Sequence, residues 1–274
     1  MLGNTFLHLS GIGPKRERQL WEKNILNWDT LEYALKTGEI KHSSILEKEL
    51  SLSRRNLEEK NAAFFSERLP ADAPWRLLND FRHLAVYLDI ETTGLGKDDH
   101  VTTISIYDGK ELKYYVWGDN LQNFLEDINK YKLIITYNGK CFDIPFLENH
   151  FQTRFKHAHL DLRYVLKKLG YTGGLKSCEK QMGIQRKDLD GVNGYTAVLL
   201  WQEYIKNKST RALETLLSYN MEDTINLEKL AHLCYNRLIM QTPFKNQILP
   251  VPEEPSLPFK PDLQLLQKIL LKRN

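Results

Sequence analysis

The chain has 274 residues, of which 42% are hydrophobic and 27% are charged, ordinary values for a globular protein that exclude a disordered chain. The formal net charge of +3 favours no class of partner, so any basic surface for nucleic acid must be local. No apolar run approaches the roughly 18 residues of a membrane span, the N-terminus lacks a signal pattern, and the three cysteines form no CxxC pair, so we expect a cytoplasmic protein without a membrane span, disulfide framework or zinc site.

Residues 1–83 show short amphipathic patterns between polar breaks and few strand-like runs, so we predict a small helical module. Gly11-Ile12-Gly13, followed by helical spacing of apolar residues, resembles a helix-hairpin-helix motif. The Gly-rich turn of that motif exposes backbone N–H groups that donate hydrogen bonds to a phosphate. Gly11, Gly13, Lys15 and Arg16 are therefore candidate nucleic-acid contacts.

Two residues depart from the helix-hairpin-helix pattern. Glu17 stands where the motif has a small residue, and Asn24 replaces a glycine, although Asn tolerates the left-handed conformation. One hairpin alone binds weakly. A structural or partner-docking role for the module is the alternative that stays open.

A second domain is predicted over residues 84–238. It begins with the apolar run HLAVYLDI, continues with VTTISIY and LKYYVW on either side of Asp108-Gly109, and returns to an apolar run at KLIITYN. These runs predict a three-strand meander, a helix from Asn120 and a further strand. The patterns after Asp143 are mainly helical, so the domain is predicted to be α/β.

Residues 239–274 are rich in proline and end in the amphipathic pattern LQLLQKILLK. The sequence predicts either an extended arm laid over the body of the protein or a flexible linker to a short terminal helix.

Two carboxylates lie near the end of the first strand, in LDIETTGL. Because strand side chains alternate, Asp89 and Glu91 share one face while Ile90 points the other way. Acids held side by side at the edge of an apolar core need a cation or a proton to offset their repulsion. A helix cap or a solvated rim is the alternative interpretation.

A third candidate acid follows the KLIITYN strand. In TYNGKCFDIPFL, Asp143 lies where a helix begins, so it is either a site residue or a helix cap. Phe142 is either a core residue or an apolar platform for a base. Asn138 either binds substrate or anchors a turn, and the more distant Asp161 is interpreted as a helix cap in preference to a metal ligand.

The fourth candidate acid lies on a long predicted helix, in SYNMEDTINLEKLAHL. Tyr219 and Asp223 are four residues apart and therefore project from one face, a turn apart. The order is then an acid pair, an Asn and Phe-Asp element, and a Tyr-Asp element.

These three segments resemble the motifs of DEDD exonucleases in the tyrosine subtype and are similar to the proofreading domains of family B DNA polymerases. The match is closer to the bacterial YprB-like family of ribonuclease H-like exonuclease-domain proteins. The resemblance implies an α/β fold with a mixed five-stranded sheet flanked by helices. It also implies four metal-binding acids, which are Asp89, Glu91, Asp143 and Asp223.

The same resemblance assigns a water-positioning role to Tyr219. Ser218 occupies the place where the histidine subtype carries its histidine, so that subtype is excluded. Thr92 and Leu95 lie in the region that touches the terminal nucleotide in the resembling families. An all-carboxylate site suits two Mg²⁺ or Mn²⁺ ions.

The function we predict is therefore two-metal hydrolysis of DNA or RNA from a single-stranded 3′ end. A nucleic-acid-binding module without catalysis, and an adaptor that recruits a partner through its proline-rich tail and helical front, are the alternatives. Whether a helicase or polymerase acts with the protein stays open.

Overall fold

A computed structural model describes residues 1–96, 98–186 and 192–271. The part of the chain before the first strand, which we call the helical module, consists of helices and the turns that connect them. Its helices are α1 (Pro14–Glu22), α2 (Trp28–Thr37), α3 (Ser44–Glu58), α4 (Ala62–Ser66) and α5 (Leu78–Phe81). Capping residues define the start of α2, where the Asn27 side chain accepts the Thr30 N–H and Thr30 closes the capping box.

The remainder is built on one mixed sheet, as predicted. Its strands are β1 (Ala85–Thr92), β2 (Val101–Tyr107), β3 (Leu112–Val116), β4 (Leu133–Thr136) and β5 (Ala158–Asp161), in the order β3-β2-β1-β4-β5. The β1–β2 and β2–β3 pairs are antiparallel, and β4 runs parallel to both β1 and β5.

Strand β5 is the fifth strand that the resemblance implied, although the mainly helical patterns after Asp143 did not locate it. The strand has four residues, AHLD, which alternate apolar and polar, but so short an alternation is a weak signal on its own. Its pairing with β4 is what makes it a strand. Long-range pairing of this kind leaves little local signal.

Helices cover both faces of the sheet. The later helices are α6 (Phe124–Ile128), α7 (Asp143–Phe151), α8 (Leu162–Lys168), α9 (Leu175–Met182), α10 (Gly194–Asn207), α11 (Thr210–Ile239) and α12 (Leu263–Leu271). Alternate residues of β1 face different sides: Val86, Leu88 and Ile90 belong to an apolar cluster with α6 and α7, whereas Tyr87 packs with α11.

One apolar cluster runs from the N-terminal helices into the sheet domain. It joins Met1, Trp28 and Phe65 with residues of β1, β5 and α11. The Trp75 and Tyr235 rings, one from each part, have centroids 5.6 Å apart. The helical module is thus packed against the sheet domain, while the predicted boundary at residue 84 remains a prediction.

The chain after α11 lies along that helix, which is the first of the two predicted arrangements. His232 Nδ1 lies 2.7 Å from the Pro250 carbonyl oxygen. The Asn236 side-chain nitrogen donates to the Leu249 carbonyl oxygen at 2.7 Å, and the Asn236 side-chain oxygen accepts the Leu249 N–H at 2.7 Å. Helix α12 then packs beside α10 through Leu266. The last three residues of the predicted arm, 272–274, lie outside the described part. Within the described residues no helix is long and apolar enough to cross a membrane.

Candidate nuclease site

The structure brings three of the predicted acids together. Strand β1 presents Asp89 and Glu91 on one face, and α11 presents Asp223 toward them. One carboxylate oxygen of each lies within 4.8 Å of the others. Glu91 and Asp223 are only 8% and 7% exposed, so these charges are largely withdrawn from water.

A β-bulge helps to aim the acid pair. The pairing of β1 with β2 shifts register between Glu91 and Thr92. A bulge twists its strand and redirects the side chains next to it. Ile90, between the two acids, is buried on the opposite face, which anchors β1 while both carboxylates face α11.

Asp143 lies beside this group without completing it. It is the first residue of α7, is 4% exposed, and its carboxylate accepts a hydrogen bond from the Ile90 N–H. The bond places Asp143 next to β1, between the two acids of the pair. Burial raises the pKa of Asp143 to about 7, and the Asp161 carboxylate adds to the shift.

The acids raise one another's proton affinity. Burial is the first cause of a pKa of Asp89 well above its usual range, followed by the carboxylates of Asp223, Glu91 and Asp143. Burial, Asp223 and Asp143 do the same to Glu91. Like charges at this separation need a cation or a proton to compensate them. The donor set is entirely carboxylate oxygen, and it therefore fits hard divalent ions such as Mg²⁺ and Mn²⁺.

Tyr219 lies one turn before Asp223 on the same face of α11 and is 5% exposed. Burial, together with Asp223, Glu91 and Asp89, raises the pKa of its hydroxyl far above neutral pH. The phenol is therefore protonated. The Lys176 ammonium lies 4.7 Å from the centroid of its ring, a cation–π contact that fixes the aromatic face.

Asn220 is a site residue that the sequence analysis missed. Its side-chain nitrogen donates to Asp89 Oδ2 at 2.7 Å, and its oxygen accepts from the Thr103 hydroxyl at 3.2 Å. The amide is fully buried. Asn is unfavourable in the middle of a long helix. Its presence at this position was the one local indication in the sequence that Asn220 has a specific role.

A second missed feature is a buried cation next to Asp223. The Arg186 guanidinium forms a bidentate pair with Glu179, at 2.6 and 2.8 Å, and also donates to the Asp223 carboxylate. Its side chain is 6% exposed and that of Glu179 is 1% exposed. A buried Glu on α9 requires such a partner, but nothing local in the sequence identifies it.

Four further residues predicted to contact nucleic acid lie close to the acids in the sequence. Thr92 is buried, and its hydroxyl donates to the Gly94 carbonyl at 2.7 Å, whereas Leu95 is 83% exposed at the tip of the following turn. Asn138 adopts a left-handed conformation with φ 66°, and its N–H donates to Asp161 at 2.8 Å. Phe142 is half-buried against Phe146.

Asp161 and the backbone of Asn138 both make local structural contacts. Asp161 caps α8, as expected, and also accepts the Lys140 N–H at 3.1 Å. Asn138 thus anchors the turn before α7. Contact of Thr92, Leu95, Asn138 and Phe142 with nucleic acid stays a prediction.

The Gly-rich turn lies at the start of α1, in the helical module. Gly11 has φ 72° and Gly13 caps the helix, with Lys15 and Arg16 exposed beside them. Only a short 3₁₀ turn at Leu2–Asn4 precedes the glycines, where the motif has a full first helix. Its use in nucleic-acid binding stays a prediction.

Both departures from the motif have a structural reason. Glu17 is buried and paired with Arg76 at 2.7 Å, and it also accepts the Phe6 N–H at 2.8 Å. Asn24 takes the left-handed conformation expected of it, with φ 61°.

A mixed sheet with carboxylates on its central strand and on the long helix packed over it defines the class of ribonuclease H-like proteins. The family model of the RNase H superfamily matches residues 86–235. The chain therefore belongs to the RNase H superfamily.

Two individual proteins are similar to parts of the chain. The uncharacterized protein YprB of Bacillus subtilis (strain 168) is 28% identical over 174 residues, covering 53% of this chain and 40% of that protein. The chain therefore spans less than half the length of this relative. A family B DNA polymerase from the hyperthermophilic archaeon Pyrobaculum calidifontis has a TM-score of 0.41 and 14% identity, over 56% of this chain and 25% of its own.

Proposed function

We propose that the protein is a metal-dependent 3′-to-5′ exonuclease that acts on single-stranded DNA or RNA. The observation that carries the proposal is the convergence of Asp89, Glu91 and Asp223 within 4.8 Å in an RNase H-like fold. The 3′-to-5′ direction rests on the resemblance to the tyrosine subtype of DEDD exonucleases, which includes Tyr219 and Asp223.

Asp89, Glu91 and Asp223 would hold the metal ions, and Asp143 would support them from beside β1. When bound, two divalent cations activate a water molecule and stabilise charge on the attacking and leaving oxygens. Asn220 keeps the Asp89 carboxylate in place through its 2.7 Å hydrogen bond. The hydrogen bond restricts the rotation of the Asp89 carboxylate and so keeps it oriented for metal binding.

Tyr219 contributes by position. Because its hydroxyl is protonated, it acts as a hydrogen-bond donor or acceptor to the attacking water and does not serve as a strong base. Lys176 and Arg186 place positive charge around the acids, which favours a phosphate group in the site.

The contact between Arg186 and Asp223 also supports a second candidate, a nucleic-acid-binding module without catalysis. The guanidinium occupies a carboxylate oxygen that a metal ion would need. If this ion pair persists in the presence of divalent cations, the site holds no complete metal centre.

The test uses purified protein and 5′-labelled single-stranded DNA and RNA with Mg²⁺ or Mn²⁺. We expect a ladder of shortened labelled products that EDTA abolishes. Asp89→Asn and Asp223→Asn should each lower kcat by roughly 100-fold or more, while Asp119→Asn, an exposed acid on another loop, leaves it unchanged. Undiminished cleavage by either site variant, or binding without any cleavage, would contradict the proposal.

A further inference from the structure

A groove of about 550 Å³ lies where the helical module meets the sheet domain. We call it the seam groove. Three chain segments line it: the α3–α4 turn at residues 59–63, the α6–β4 connection around Lys132, and the α7–β5 connection at residues 153–157. The module is therefore needed to complete this groove.

The charge of the seam groove is positive. Lys60, Lys132 and Lys156 are exposed on its walls, and none of them forms an ion pair among the residues that the structure describes. Glu59, the acid in the lining, lies 4.0 Å from Arg55. His157 adds no charge, because burial lowers its pKa.

A second groove extends from the seam groove along α7, toward the end of that helix where Asp143 lies. It has a volume of about 570 Å³, follows the exposed side of α7 from Gln152 back to Pro145, and shares Thr153 and Arg154 with the seam groove. Helix α7 begins at Asp143, beside the acid cluster. Nine helical residues span about 13 Å, so the two ends of this path are only a few nucleotides apart.

The path between the two ends presents no unpaired acid. Glu148 is the acid that lines it, and Arg154 pairs with Glu148 at 2.5 Å. Charge along the path is thus neutral beside α7 and positive in the seam groove, which is the pattern a polyanionic strand requires.

We propose that the seam groove binds the sugar-phosphate backbone of the nucleic-acid strand whose 3′ end lies in the acid cluster, with the exposed side of α7 carrying the strand between them. The proposal rests on the proposed nuclease function and gives the helical module a binding role through the Lys60 turn. Lysines bind phosphate as point charges, so the contact is independent of sequence.

The test compares the triple variant K60Q/K132Q/K156Q with K41Q/K110Q/K180Q, which removes the same charge from exposed lysines elsewhere. Binding of a fluorescent 20-nucleotide DNA is measured over a range of salt concentrations, and cleavage of a dinucleotide is measured separately. For the groove variant we expect roughly 10- to 100-fold weaker binding at 0.1 M salt. The slope of log K against log salt should fall in magnitude by about 2.

Dinucleotide cleavage should be the same in the groove variant, the control variant and the wild-type protein, because a dinucleotide does not reach the seam groove. An unchanged affinity and salt slope, or an equal loss with the control variant, would overturn the groove assignment. A matching loss of dinucleotide cleavage would overturn it too, since it would place the effect in the acid cluster. Absence of dinucleotide cleavage in the wild type counts against the nuclease proposal alone, because the binding measurement still tests the groove.

Discussion

The Asp89 carboxylate is held by the Asn220 amide, which the Thr103 hydroxyl holds in turn. Asn220→Ala should lower kcat at least tenfold with little change in KM, because Asp89 loses its orientation while other contacts with substrate remain. The free energy of unfolding should fall by about 1–3 kcal/mol, since two buried groups lose a partner. Steady-state kinetics and urea denaturation measure both quantities.

A positioning role of Asn220 is distinguished from a purely structural role by comparing the change in kcat with the change in KM. Asn207→Ala, on the exposed end of α10, is the matched control and should change neither constant. An Asn220→Ala protein with normal kcat but lowered stability would show that Asn220 only supports the fold.

Arg186 donates to the carboxylate of Asp223, a proposed metal ligand, and would therefore compete with a metal ion for it. The neutral double variant E179Q/R186Q removes the competing cation without leaving Glu179 as an unpaired buried charge. Its affinity for Mn²⁺ should rise about tenfold, because a unit charge beside the site no longer opposes the ion. Isothermal titration calorimetry measures the change. An unchanged or weaker Kd would show that Arg186 does not occupy the position a metal ion needs.

At the level of elements, helix α1 is fixed by a buried charge pair. Glu17 on α1 bonds Arg76, the Thr5 hydroxyl and the Phe6 N–H. Glu17→Ala leaves Arg76 as a buried, unpaired cation and should cost about 3–5 kcal/mol of unfolding free energy. The measurement is urea denaturation followed by tryptophan fluorescence, because Trp21 and Trp28 lie in this part of the chain.

Glu22→Ala is the matched control for α1. Glu22 is exposed on the same helix, so its removal should change stability by no more than about 0.5 kcal/mol. If both variants lose the same stability, the loss reflects helix propensity and the Glu17–Arg76 pair does not anchor α1.

At the level of the whole molecule, stability depends on pH through buried groups of opposite sign. Burial lowers the pKa of His8 from its usual 6.5 to about 3. The unfolded chain then binds more protons than the folded one between these values, so the contribution of His8 to stability is lost as pH falls through 6.5. Half-buried Glu228, with its pKa raised to about 7, acts in the opposite direction.

A substitution of His8 separates its contribution to the pH dependence of stability from that of Glu228. His8 lies in the core beside Trp28 and Phe65, so His8→Phe keeps an aromatic ring there. Between pH 7.5 and 5 the wild type should lose about 2 kcal/mol more unfolding free energy than this variant does. Denaturant titrations at both pH values test this. Equal pH dependence of the two proteins would show that His8 is not held neutral.

The sequence by itself determined the acid pair on β1, the meander that follows it, and the Tyr-Asp face of α11. The reason is that each depends on a short-range period: two residues in a strand, and four in a helix. The mixed five-stranded sheet followed from the resemblance. The proline-rich segment could also be recognised from its sequence, but its course along α11 could not.

Only the tertiary structure decided which polar residues complete the site. Asn220 and Arg186 gain their roles from partners more than 30 residues away, and β5 is a strand because it pairs with β4. The seam groove likewise exists only where the helical module meets α7 and the sheet. Such features arise from distant segments folding together, and a local pattern contains no record of which segments will meet.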